Sequence, residues 1–133
     1  MLSAMLLAIS AGALTQFAIY YWRAVVASVA SQPISDRVLA VARLEGGVTA
    51  DDFAVFVRLY ELTPRLQARE HGLGFIRVYH SIMRFVVQAT GSHFPRVTAW
   101  SRHEMAMCAR YAAVCVDRRL QDNLSCAAAM RSC

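Results

Sequence analysis

The chain contains no lysine: all 14 basic residues among its 133 are arginine. The absence excludes chemistry that needs an ε-amine, namely Schiff-base formation, the phosphate-contacting lysine of a P-loop and a lysine general base. It also reads as the codon bias of a GC-rich, bacterial genome. A second absence is positional. No charged side chain occurs from Met1 to Trp22, and Arg23 follows at once. A third concerns motifs. There is no C-x-x-C, C-x-x-C-H, H-E-x-x-H or G-x-S-x-G, and Gly72-Leu73-Gly74 is too short for a phosphate-cradling loop. Zinc-ribbon, thioredoxin-like, covalent-haem, zincin and serine-hydrolase readings therefore lack their residues. The expectation is a protein that is not an enzyme and carries no cofactor or metal.

What is present begins with the uncharged segment. Its 22 residues, as a helix, extend about 33 Å, enough to cross a hydrocarbon core of about 30 Å. Tyr20, Tyr21 and Trp22 form an interfacial aromatic belt with Arg23 beside it in the headgroups. Pro33 stops the helix near Ser31. A small-residue site exists at Ser28-Val29-Ala30, but a cleaved signal peptide usually has a basic n-region and a shorter apolar core. We read residues 1–32 as a transmembrane anchor and 33–133 as a soluble domain. Ala4, Ala8, Gly12 and Gln16 fall at four-residue spacing on one face of the anchor, beside Thr15. Small residues so spaced let another helix approach, and a glutamine at membrane depth favours a partner.

The remainder reads as all-α, a small bundle of about four helices. Ser35 is the expected N-cap of a helix to about Leu44, closed by Gly46-Gly47. Thr49 and Asp52 form a capping-box variant ahead of a helix with Phe53, Phe56, Val57 and Tyr60 on one face. Thr63-Pro64 opens a further segment. A helix from about Phe75 to Thr90 splits into an apolar face (Phe75, Tyr79, Ile82, Met83, Val86) and a cationic one (Arg77, His80, Arg84, with Ser81 and Gln88). That second face is expected to meet a partner. After a loop at Gly91–Pro95, Ser101 and Glu104 read as a capping box stapled by Trp100 and Met105, opening a helix to about Leu120.

Cys108, Cys115, Cys126 and Cys133 are separated by 7, 11 and 7 residues. On one continuous helix all four lie within about 20° of a line and form a buried stripe of reduced thiols, although Arg119 and Asp122 stand near it. If the chain instead turns between Asp117 and Asn123, Cys115 faces Cys126 and Cys108 faces Cys133. Two nested disulfides would then close a helical hairpin. That arrangement resembles in logic, with a different spacing, the twin-cysteine hairpins of the mitochondrial intermembrane space.

The other titratable candidates read as structural. His71, His80, His93 and His103 lie outside the anchor. Glu104 and Cys108, one turn apart near His103, make at most half a metal site. Asp51 and Asp52 complement a helix dipole. The net charge of +5 is spread over the soluble part. It suits anionic lipid headgroups or an acidic protein; no recognition motif supports nucleic acid.

Topology signals conflict. Disulfides would place the domain in the periplasm. Arg23, Arg37 and Arg43 after the span favour the cytoplasm, which is the expected side. The resulting expectation is a non-catalytic accessory subunit of a larger membrane complex, respiratory or photosynthetic in type, in the bacterial inner membrane with other membrane subunits as partners. The alternative is a membrane-tethered regulatory or redox-responsive signalling module. A small enzyme of another type would require a pocket with convergent polar groups.

Overall fold

The computed structural model describes residues 2–42, 47–64, 73–91 and 93–132. They form five helices: α1 (Leu2–Ala30), α2 (Asp36–Val41), α3 (Phe53–Leu62), α4 (Leu73–Thr90) and α5 (Pro95–Arg131). A single 3-10 turn, Ala50–Asp52, leads into α3. No strand occurs among the described residues.

α1 runs unbroken because nothing in it interrupts a helix before Pro33. Its two parts live in different surroundings. Every side chain from Ser3 to Tyr21 is exposed, whereas Val26 and Ala30 are buried in the domain. The helix therefore enters the core well before residue 32, where the anchor was expected to end. It is long and apolar enough to cross a membrane.

α5 is the spine. α1, α2, α3, α4 and the 3-10 turn all pack on it. The reason lies in its sequence: Ala109, Ala112 and Ala113 are fully buried and small enough to admit neighbouring backbones closely. Cys108 and Val116 complete its inward stripe, which clusters with Val38, Phe53, Phe56, Tyr60, Leu73 and Ile76 from the helices around it. Full burial of a side chain such as Phe56 or Ile76 contributes about 1.5–3 kcal/mol. Side-chain bonds give the directions. Arg23 reaches Glu104 and Arg118 reaches Gln32, so α1 and α5 run parallel. Tyr79 reaches Glu104 and Thr90 reaches Thr98, so α4 and α5 are antiparallel. The end of the bundle where α1 leaves is thus also the end that carries the α4–α5 connection.

Several local expectations change. Ser35 stands at the head of α2 in extended conformation but does not cap it; its hydroxyl donates to Asp117 Oδ1 at 2.5 Å. Tertiary pairing outcompetes the local cap. The expected end of α2 at residues 43–46 and the segment from residue 65 to 72, including His71, lie outside the described residues. The start of α3 is as expected: the Thr49 N–H and hydroxyl donate to the Asp52 carboxylate at 2.7 and 2.6 Å. Thr63 closes α3, its hydroxyl donating to the Leu59 carbonyl.

α5 begins earlier than expected, at Pro95, which suits the first turn because its missing N–H would be unpaired there. Ser101 and Glu104 are consequently mid-helix and buried, not a capping box. The helix also continues through Asp117–Asn123 to Arg131. The polar stretch that suggested a turn is held in helix by long-range partners. Asp117 accepts from Ser35, and Arg119 donates to the carbonyls of Tyr60 (2.7 Å) and Thr63 (3.2 Å).

Candidate functional site

The distinctive chemistry sits where α1 enters the domain. The ring of Trp22 meets that of Phe75 edge-on, with centroids 4.5 Å apart and planes at 62°. One residue on, the Arg23 guanidinium donates to Glu104 Oε1 at 2.6 Å and lies 5.6 Å above the Trp100 ring. The other Glu104 oxygen accepts from the Tyr79 hydroxyl at 2.9 Å. One carboxylate therefore ties α1, α4 and α5 together. The pair is unequal in burial: the Glu104 side chain is 7% exposed and that of Arg23 is 44%. Burial, then the bond to Glu104, pushes the Tyr79 hydroxyl above the ordinary tyrosine range, with Arg23 partly opposing. Tyr79 therefore remains a proton donor throughout the working pH range, and Glu104 has two fixed partners. The cluster can hold a geometry between the three helices. Beside it, a groove of about 320 Å³ runs between α1 and α5, lined by Tyr20, Arg23, Ala24, His103, Glu104 and Met107.

Sequence reasoning missed this role of Glu104. A signal was available: it is the only acidic residue between Glu70 and Asp117. A lone carboxylate among arginines has reason to be paired.

The expected cationic face of α4 is divided. Arg77 pairs with Glu61 of α3. His80 stacks on Phe53, centroids 4.0 Å apart at 17°, with its Nε2 buried and unpartnered. Arg84 alone of the three is exposed. The helix is rotated relative to the expected face: Leu73, Ile76 and Met83 are buried, while Phe75 and Ile82 are outside. The cause is that α4 is apolar around much of its circumference, so packing on α5 and Phe53 selects the inward side.

Burial lowers the His80 pKa below its ordinary value of 6.5, with Arg84 adding to the fall and the Ala50 backbone and Asp51 opposing. A folded pKa below the unfolded one means that the unfolded chain binds the proton more readily. Its contribution to stability is full above about pH 6.5 and is lost as the pH falls through the folded value. Melting temperatures across pH 7.5 to 5 are expected to decline for the parent and to flatten for His80→Phe. An unchanged slope in that variant would assign the acid sensitivity elsewhere.

The cysteines follow the continuous-helix arrangement. Cys115 and Cys126 stand about three turns apart on α5, too far to bridge. Cys108 and Cys126 are free thiols; Cys133 lies outside the described residues. Burial, reinforced by Glu104, pushes the Cys108 thiol up to about 12. A maleimide is therefore expected to modify half-buried Cys126 in the folded protein and Cys108 only after denaturation. Mass mapping of labelled peptides checks this, and rapid labelling of Cys108 in the native protein would contradict its placement.

Ala4, Ala8, Gly12 and Gln16 are all exposed, and a Cβ built at Gly12 meets nothing within 4 Å. Among the described residues no three His, Cys, Asp or Glu side chains group as metal ligands. The chain matches no family model, no curated protein and no solved structure.

Proposed function

We propose that the chain is a non-catalytic accessory subunit of a larger membrane complex in the bacterial inner membrane, anchored by the exposed part of α1. One observation carries the reading. Apolar residues from Met5 to Tyr21 stand free of the domain, yet the same helix continues without a joint into its core. A tether needs only a flexible linker; a span locked to its domain through Trp22, Arg23 and Glu104 holds that domain at a fixed attitude, as a brace between subunits requires. The small-residue face of α1 supplies a docking surface for a second transmembrane helix, and the charge after the span favours the cytoplasmic side for the domain.

Extraction in mild detergent followed by native-gel separation tests the proposal. The chain is expected to migrate with other subunits, well above its own 14.8 kDa. Gly12→Leu is expected to leave the fold intact, since the position is open, and to release the chain from the complex. Migration as a lone protein in a detergent that preserves the membrane's other complexes would overturn it.

A membrane-tethered regulatory module is the second reading, and the same unbroken helix favours it, because a shift of the span would move Glu104 directly. A redox-responsive form would act through Cys126, since Cys108 is buried and its thiol stays protonated.

A further inference from the structure

α4 carries an outward apolar stripe that is more than half exposed along its length and is met at its first residue, Phe75, by Trp22. Phe75, Val78, Ile82 and Phe85 recur at spacings of 3, 4 and 3, and are 51–69% exposed. Across the connection, Phe94, Val97 and Trp100 at the start of α5 are exposed as well. The stripe starts beside the span, since Phe75 is the residue that meets Trp22. The α4–α5 connection lies toward the end of the bundle from which α1 departs, because α1 and α5 are parallel. From Leu73 to His103 there is no acidic residue and there are four arginines. Arg77 is neutralised by Glu61, whereas Arg84, Arg96 and Arg102 are exposed and form no ion pair among the described residues.

We infer that the α4–α5 hairpin is a second membrane contact: its apolar stripe enters the interfacial layer of an anionic bilayer beside α1, and Arg84, Arg96 and Arg102 reach lipid phosphates. The inference rests on α1 being a membrane span. The composition selects lipid over a protein partner. Exposed aromatic and aliphatic side chains on a segment that carries four arginines and no carboxylate from Leu73 to His103 are what an anionic interface attracts, although Asp51 lines one groove with Arg84 and Arg102. Long arginine side chains extend to the phosphates while their stems remain in the apolar layer. The aromatic belt at Tyr20–Trp22 marks the same level on the neighbouring helix.

Tryptophan placed on the stripe reads its depth. The full chain, carrying Trp22→Phe and Trp100→Phe, is reconstituted into phosphatidylcholine vesicles with and without phosphatidylglycerol. Phe85→Trp and Phe17→Trp are introduced separately; both positions are exposed, so neither alters the core. Quenching by lipids brominated on the acyl chain is the readout. Phe17→Trp is expected to be quenched in both vesicles. Phe85→Trp is expected to be quenched about twofold more strongly with phosphatidylglycerol than without, and Arg84→Gln, Arg96→Gln and Arg102→Gln together are expected to abolish that difference. Quenching of Phe17→Trp alone, with Phe85→Trp open to aqueous iodide, would overturn the hairpin contact and leave the span intact. Shielding of Phe85→Trp from both quenchers would mean that a protein, such as a second copy of the chain, covers the stripe, and would overturn it too. Failure to quench Phe17→Trp would refute the span itself.

Discussion

Glu104→Ala is expected to destabilise the domain by about 2–3 kcal/mol, a fall of about 10 °C or more in melting temperature. The substitution removes two charge-assisted bonds and leaves the Tyr79 hydroxyl, already screened from water, without an acceptor. Loss of a buried ion-pair partner costs about 3–5 kcal/mol when the remaining charge is trapped. Arg23 is half-exposed and regains water, so the lower figure applies. Glu104→Gln keeps an acceptor for Tyr79 and is expected to lose about half as much. Circular dichroism of the full chain in detergent follows both. The two variants separate a locked junction from a merely buried carboxylate. If glutamine costs nothing, the charge contributes nothing and the Arg23–Glu104 pair is no more than a surface contact; if it costs as much as alanine, the Tyr79 bond contributes nothing.

The larger effect is expected at Phe56. Its side chain is fully buried at the centre of the cluster between α3 and α5. The α5 side of that cluster includes Ala109, Ala112 and Ala113, which have no reach to fill the space a truncation leaves. Phe56→Ala is therefore expected near the upper part of the usual range, about 3–5 kcal/mol. Domains of this size hold about 5–15 kcal/mol in total, so the variant approaches the limit of folding. Phe56→Leu, which retains most of the volume, is expected to cost about 1–1.5 kcal/mol. Denaturant unfolding of the two in parallel gives the comparison. A small loss for alanine would show that α3 collapses onto α5 and that the core is not held open by its neighbours.

How far the fold was legible depended on whether a local pattern was unique. The uncharged run and Pro33 marked α1 because no other arrangement of those residues is as economical. Thr49, Asp52 and the spacing of Phe53, Phe56 and Tyr60 marked α3 and its buried side together. α4 was legible as a helix but not in its orientation. Phe75, Ile76, Val78, Ile82, Met83 and Phe85 spread apolar surface around the helix, and only the partner decides which part is covered. The start of α5 was misplaced because Ser-x-x-Glu has the same spelling at a helix end and in a helix interior. Its continuation past Asp117 was hidden because the partners of Asp117 and Arg119 are about 55 to 85 residues away in sequence and local pattern reasoning does not reach them. The junction was unreadable for the same reason: Trp22 and Arg23 looked complete as an interfacial belt, yet their contacts with Phe75 and Glu104 are tertiary facts.

The proposed membrane span in α1 must be retained in the mature protein and continuous with the domain. The intact mass of the protein recovered from carbonate-washed membranes tests it most directly. The chain is expected to stay with the washed membranes, with a mass that includes residues 1–30. Recovery in the wash, or a chain shortened by cleavage near Ala30, would contradict it.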